Sequence, residues 1–169
     1  MLPVGSQISE GVLRDQYGAD VRVGAGPMPD VDGADTVTGP MVMFFFPAAF
    51  TSVCSSEMRE LRGPGLADLV PDDSLLAVSC DSFLTLRAFA EAENIYFRLL
   101  SDFWPHGEVS TKFDAFDPVL GTSTRTTYII DGDGVVRWNQ ETGLRDARDI
   151  ADIRTAFTDM ISESSERSM

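Results

Sequence analysis

Cys54, Thr51 three residues before it, and Pro47 four residues before that are the side chains with the most chemistry to offer. The apolar run at residues 41–46 predicts a buried strand, and residues 55–62 read as the first turns of a helix. A cysteine at that handover meets the unpartnered N–H groups and the positive dipole end of the helix. Both favour thiolate over thiol. The Thr51 hydroxyl can fold back onto the sulfur or cap the helix, and the two roles are compatible. Only a thiolate is a strong nucleophile, so this spacing points to covalent attack by sulfur. A cysteine outside such a pattern would read as a small buried hydrophobe.

The elements that must position these residues can be followed along the chain. Gln16-Tyr17-Gly18-Ala19-Asp20 reads as a turn between strands at 12–14 and 21–23. Residues 24–40 contain Gly24, Gly26, Gly33, Gly39, Pro27, Pro29 and Pro40, and read as a surface loop. The Cys54 helix carries Met58 and Leu61 on one face and must break near Gly63-Pro64-Gly65. Residues 75–79 form a second buried strand. Asp81 or Ser82 caps a helix reaching about Glu93, with Phe83, Leu86 and Ala90 facing inward. Residues 126–130 and 135–138 form a hairpin around Asp131-Gly132-Asp133-Gly134, a tetrapeptide without the later ligands and closing Glu of a calcium loop. Ile150, Ile153, Phe157 and Met160 stripe a closing helix, and the polar tail at 162–169 is expected to be frayed and disordered. Strands alternating with helices, then a hairpin and a last helix, predict an α/β fold of the thioredoxin-like type. It is a central mixed sheet flanked by helices, in a single domain over 1–169.

Composition narrows the function classes. Thirteen basic against 27 acidic residues give a net charge of −14, which repels phosphate backbones and anionic lipid. Nucleic acid and membrane surfaces are therefore not expected partners. The first five residues lack the basic and apolar stretches of a leader, and two unevenly placed cysteines suggest a reducing compartment, so a cytoplasmic protein is expected. One histidine and no close cysteine pair leave no zinc-type ligand set, so no metal is expected.

The pattern Pro-x-x-x-Thr-x-x-Cys at 47–54 resembles the active-site motif of the peroxiredoxins, thiol peroxidases on a thioredoxin fold. The wider chain is similar to their alkyl hydroperoxide reductase E branch. The likeness runs through residues 1–5, 13–16, 44–54, Glu57, the run Ser101-Asp102-Phe103-Trp104-Pro105-His106-Gly107, residues 125–131 and Leu144-Arg145-Asp146. The chain departs from the family pattern at Ile8-Ser9-Glu10-Gly11, in the 24–40 loop, and at Thr124.

The resemblance implies that Cys54 attacks hydrogen peroxide, an alkyl hydroperoxide or peroxynitrite and becomes a sulfenic acid. It implies that Arg125 contacts the sulfur and substrate, that Glu57 orients this arginine, that Arg145 joins the same network, and that Pro47 shields the thiolate. No cofactor is implied. An external thiol would reduce the sulfenic acid: a low-molecular-weight thiol, thioredoxin or a glutaredoxin-like protein. The chain would work as a homodimer or larger homo-oligomer. Cys80, at the end of a strand, is either a core thiol or a resolving cysteine that would pair with Cys54. A redox sensor and a scaffold repurposed for a biosynthetic step are the alternatives in other function classes.

Overall fold

The computed structural model describes residues 1–25, 33–71 and 73–169. Strand β4 (Met41–Phe45) is buried along its whole length, because both of its faces are covered. It pairs in parallel with β5 (Leu75–Ser79), which pairs in parallel with β6 (Arg98–Ser101). On its other side β4 pairs antiparallel with β9 (Arg125–Ile130), which forms a hairpin with β10 (Val136–Thr142). Beyond β6 the sheet continues through β1 (Gly11–Asp15) and β2 (Asp20–Gly24), an antiparallel pair, to β3 (Asp35–Thr38). The order of the eight strands is β10-β9-β4-β5-β6-β1-β2-β3. A short ribbon, β7 (Phe116–Asp117) and β8 (Thr122–Ser123), stands apart.

Side chains alternate across a strand with a period of two, so β4 feeds two cores. Val42, Phe44 and Phe46 pack with Met58 and Leu61 of α1 (Ser52–Leu61), Phe89 of α3 (Phe83–Glu93), and Ile153 and Phe157 of α5 (Ile150–Arg167). Met41, Met43 and Phe45 pack on the opposite face with Leu13, Val21, Tyr128, and Val109 of α4 (Glu108–Lys112). The mixed sheet flanked by helices is the expected thioredoxin-like arrangement. A further helix, α2 (Leu66–Leu69), follows the expected break after α1.

The β9–β10 turn is built by Asp131, whose Oδ1 accepts from the N–H groups of Asp133 and Val135 at 2.9 and 3.0 Å. Gly134 in this turn has φ +76°, and a Cβ there would lie 2.1 Å from that of Ala25, so only glycine fits.

Three expectations need correction. The 24–40 segment is not all loop: residues 35–38 form β3, an edge strand held by pairing to β2 with only Val37 buried. Residues 26–32 of that segment lie outside the described residues. The tail does not fray at 162: α5 continues to Arg167, with Ser162, Ser164 and Ser165 donating to carbonyls one turn back. In α3 the inward aromatic is Phe89, while Phe83 is half-buried at the helix start beneath the Arg14 guanidinium.

The stripe on α5 fastens this helix to the sheet. Phe157→Ala should cost about 3–5 kcal/mol, the range for a large buried aromatic. Urea unfolding followed by far-ultraviolet circular dichroism checks this; a loss below about 1 kcal/mol would mean that the site collapses without a cavity.

Candidate active site

The C-terminal end of β4 runs through buried Pro47 into a short loop and then into α1, which places Cys54 in the helix's first turn. The Cys54 side chain is buried. Thr51 is the N-cap, in extended conformation, but its hydroxyl does not accept from the helix. It donates instead to the Ala48 carbonyl at 2.9 Å. The N–H groups of Ser52, Val53 and Cys54 precede the first intrahelical bond, Ser55 N–H to the Thr51 carbonyl, and no side chain caps them. Uncapped N–H groups at a helix start favour an anion.

Arg125 begins β9. Because β9 runs antiparallel to β4, its start lies beside the end of β4, next to the Cys54 loop. Its Nη1 donates to Cys54 Sγ at 3.5 Å and to Glu57 Oε2 at 2.5 Å, and its Nη2 donates to the Leu144 carbonyl at 2.6 Å. Arg125 Nε is buried and has no partner among the described residues. An orphaned buried donor costs about 1–3 kcal/mol, which an incoming oxygen acceptor would relieve.

Glu57, one helical turn after Cys54, is buried and gripped from two sides. Arg148 donates from its backbone N–H and Nε to Glu57 Oε1 at 2.8 and 3.1 Å, and from Nη2 to Oε2 at 3.1 Å. The same guanidinium donates from Nη1 to the carbonyls of Phe45 and Thr126 and to Thr127 Oγ1, and stacks 3.3 Å from the Phe44 ring centroid. Burial alone would push the Glu57 carboxyl up. Hydrogen bonds and charge from Arg148, with the charge of Arg125, outweigh it and hold the carboxyl below the ordinary 4.5. Burial pulls Arg148 down to about 10, opposed by Glu57, so the guanidinium stays charged at neutral pH.

Two cations against one carboxylate leave this buried cluster with one net positive charge. An anion beside Arg125 would balance it. Charges out of water are costly unless paired, so the cluster asks for an anion where the sulfur stands.

The structure brings together Cys54, Glu57 and Arg125, with Pro47 and Thr51 in the segment that leads into Cys54, and not Arg145. Arg145 is exposed and makes no ion pair among the described residues. Arg148 takes the place expected for it. The signal was available: Arg148 lies two residues before Ile150 of the apolar stripe, and exposed Asp149 between them is extended, so alternation turns Arg148 inward.

Cys80 follows β5 and is free, as is Cys54. Its neighbours are not those of Cys54, for its Sγ lies 3.6 Å from Ser123 Oγ, which in turn bonds Ser110 Oγ at 2.8 Å. Ser110 lies on α4, across the sheet from α1. Burial pushes the Cys80 thiol up, and hydrogen bonds from Ser123 and Ser110 offset only part of that push, to which the Asp102 carboxylate adds.

Comparison with known proteins agrees with this geometry. The AhpC/TSA family matches residues 26–139. Alkyl hydroperoxide reductase E of Mycobacterium tuberculosis is 35% identical over 162 residues, covering 94% of this chain and 99% of that protein. A putative peroxiredoxin of the rubredoxin operon of Clostridium pasteurianum is 36% identical over 108 residues, 59% of this chain and 58% of that one. Among solved structures, the peroxidoxin BcpB of Mycobacterium tuberculosis superposes with a TM-score of 0.68 at 26% identity, over 94% of this chain and 96% of that chain. With a thiol at a helix start, a guanidinium on its sulfur and likeness along nearly the whole chain, the protein belongs to the AhpC/TSA family and is a thiol-dependent peroxidase of the peroxiredoxin kind.

Proposed function

We propose that Cys54 is the peroxide-reactive thiol and that this enzyme works with one cysteine. The observation that carries the reading is the 3.5 Å contact from Arg125 to Cys54 Sγ, at an uncapped helix start inside a cluster short of one negative charge. The Cys54 thiolate attacks one oxygen of a hydroperoxide in line with the O–O bond. The S–O bond forms as the O–O bond breaks, and the leaving alkoxide or hydroxide takes a proton from solvent. The sulfur is thereby oxidised to a sulfenic acid and the peroxide reduced to an alcohol or water. Arg125 and the first-turn N–H groups offset charge gathering on the leaving oxygen. Glu57 and Arg148 position Arg125.

An external thiol then displaces water from the sulfenic acid, and a second thiol releases Cys54 as the reductant becomes a disulfide. A low-molecular-weight thiol, thioredoxin or a glutaredoxin-like protein can serve. What favours an external thiol is the setting of Cys80: buried, raised, and bonded to residues across the sheet from α1. A homodimer or larger assembly is supported by exposed Phe50, Leu84, Phe103 and Trp104. These follow β4, β5 and β6, which are parallel, so they share the end of the sheet that carries Cys54. No helix among the described residues is long and apolar enough to cross a membrane; the cytoplasmic setting we propose rests on the two free, unevenly placed cysteines.

Peroxide consumption with Cys54→Ser as the control tests the reading: the parent should turn over peroxide and the variant should not. Equal turnover by both would sink it. Arg125→Ala should slow oxidation of Cys54 about tenfold or more, ~1.4 kcal/mol in barrier. A rate within about twofold of the parent in rapid mixing would count against the role. Cys80→Ser should keep full turnover with an external thiol, whereas lost turnover together with a Cys54–Cys80 disulfide in the parent would make Cys80 the resolving residue.

Glu57→Gln removes the carboxylate that pairs with both buried guanidinium groups and should destabilise the fold by about 3–5 kcal/mol at neutral pH. Because folding depresses the Glu57 carboxyl below 4.5, its stabilisation is complete above that value and is lost as pH falls through the folded value. Denaturant titrations across acid pH should therefore show the parent losing stability on acidification more steeply than Glu57→Gln.

A further inference from the structure

Phe50 stands in the left-handed region, with φ 62°, between the end of β4 and the Thr51 N-cap. A side chain of that size is disfavoured there, and such a kink persists only where its surroundings over-determine it. Its ring packs on Phe89, with centroids 5.1 Å apart. The backbone beside it is tied from another loop: Ala49 N–H donates to Asp81 Oδ2 at 2.8 Å, across 32 residues of sequence.

Asp81 is itself braced. Ser79 Oγ donates to the same Oδ2 at 2.7 Å, and Ser101 Oγ donates to the Asp81 carbonyl at 2.6 Å. Although Asp81 stands just before α3, it does not cap that helix; Ser82 does, accepting from Thr85 N–H. The carboxylate is thus left free of its own helix and directed at the loop that leads into Cys54. Ser79 and Ser101 end β5 and β6, so the hold on the Cys54 loop comes from the edge of the sheet.

We propose that Asp81 is a positioning residue for the peroxidase reaction. Through Ala49 N–H it fixes the Phe50 kink, and with it the direction in which α1 starts and the alignment of Cys54 and the uncapped N–H groups with an incoming peroxide. The kinetic part of this inference rests on Cys54 being the peroxide-reactive thiol. Asp81 makes no contact with Arg125, Glu57 or Arg148 among the described hydrogen bonds, so it acts on alignment and not on the charge balance at the sulfur.

Three readouts on Asp81→Ala, Asp81→Asn and the parent separate these roles. In Asp81→Ala the rate constant for Cys54 oxidation by hydrogen peroxide should fall about tenfold or more, as misalignment of reacting atoms does. The pH midpoint of Cys54 alkylation by iodoacetamide should stay that of the parent. Amide hydrogen exchange should rise over residues 47–54 and remain unchanged in β4 and β5. Asp81→Asn keeps an oxygen that can accept from Ala49 and Ser79, and should stay within about twofold of the parent in rate. If Asp81→Ala does not fold, Ser79→Ala, which removes the brace alone, should move rate and exchange in the same direction by less. Parent-like rate and exchange in Asp81→Ala would overturn the proposal. So would Asp81→Asn as impaired as Asp81→Ala, with exchange raised across β4, β5 and α3. A parent that consumes no peroxide would overturn the peroxidase reading, while the exchange comparison would still decide whether Asp81 holds the kink.

Discussion

The Glu57 carboxylate holds two guanidinium groups inside the protein, and the geometry around Cys54 depends on that grip. Arg148 reaches it from the segment before α5, and Arg125 from the start of β9. Each arginine also bonds backbone carbonyls, Phe45 and Thr126 for Arg148 and Leu144 for Arg125, so the cluster ties together strands, helix and loop. A buried ion pair is weak evidence for stability as such, because desolvation offsets much of the attraction. Here its consequence is positional: the charge that remains unbalanced lies next to sulfur. Removal of the carboxylate would leave two cations facing each other and Arg125 held only by the Leu144 carbonyl and the Cys54 sulfur among the described residues.

Strand topology explains why these groups meet. Parallel β4, β5 and β6 deliver their C-terminal ends to one edge, bringing the Cys54 loop, Asp81 and Ser101 together. An antiparallel neighbour was needed for Arg125, because only a strand running the other way begins at that edge. The two hydrophobic cores lie on either side of β4, and the Cys54 loop begins where that strand stops. The two thiols are divided by the same sheet: Cys54 packs in the α1 core, and Cys80 bonds with Ser123 and, through it, Ser110 of α4.

Much of this was legible in residue order because local physics and tertiary packing agree there. The run at 41–46, the stripe at Ile150, Ile153, Phe157 and Met160, and the Asp131–Gly134 turn each carry one pattern with one structural meaning. Cys54, Thr51 and Pro47 are legible for the same reason, standing at a strand-to-helix handover. The short elements β3, β6, α4, β7 and β8 have too few residues to show a period and exist through pairing or capping by distant groups. The helical tail beyond 162 was hidden because its polar composition resembles a solvated coil, while its serines bond back onto the helix. Arg148 was passed over for Arg145 because both lie in one short charged run, and only the phase set by Ile150 tells them apart. Asp81 carried a local reading as a helix cap, and its actual partner, Ala49, is far away in the chain.

The central claim is that the buried charge cluster makes Cys54, and not Cys80, the thiol that meets peroxide. The most direct measurement is peptide mass spectrometry after brief exposure to one equivalent of hydrogen peroxide, with dimedone present to trap sulfenic acid. The account predicts the adduct on Cys54 and an unmodified Cys80. An adduct on Cys80, or an unmodified Cys54 after the peroxide is consumed, would contradict it.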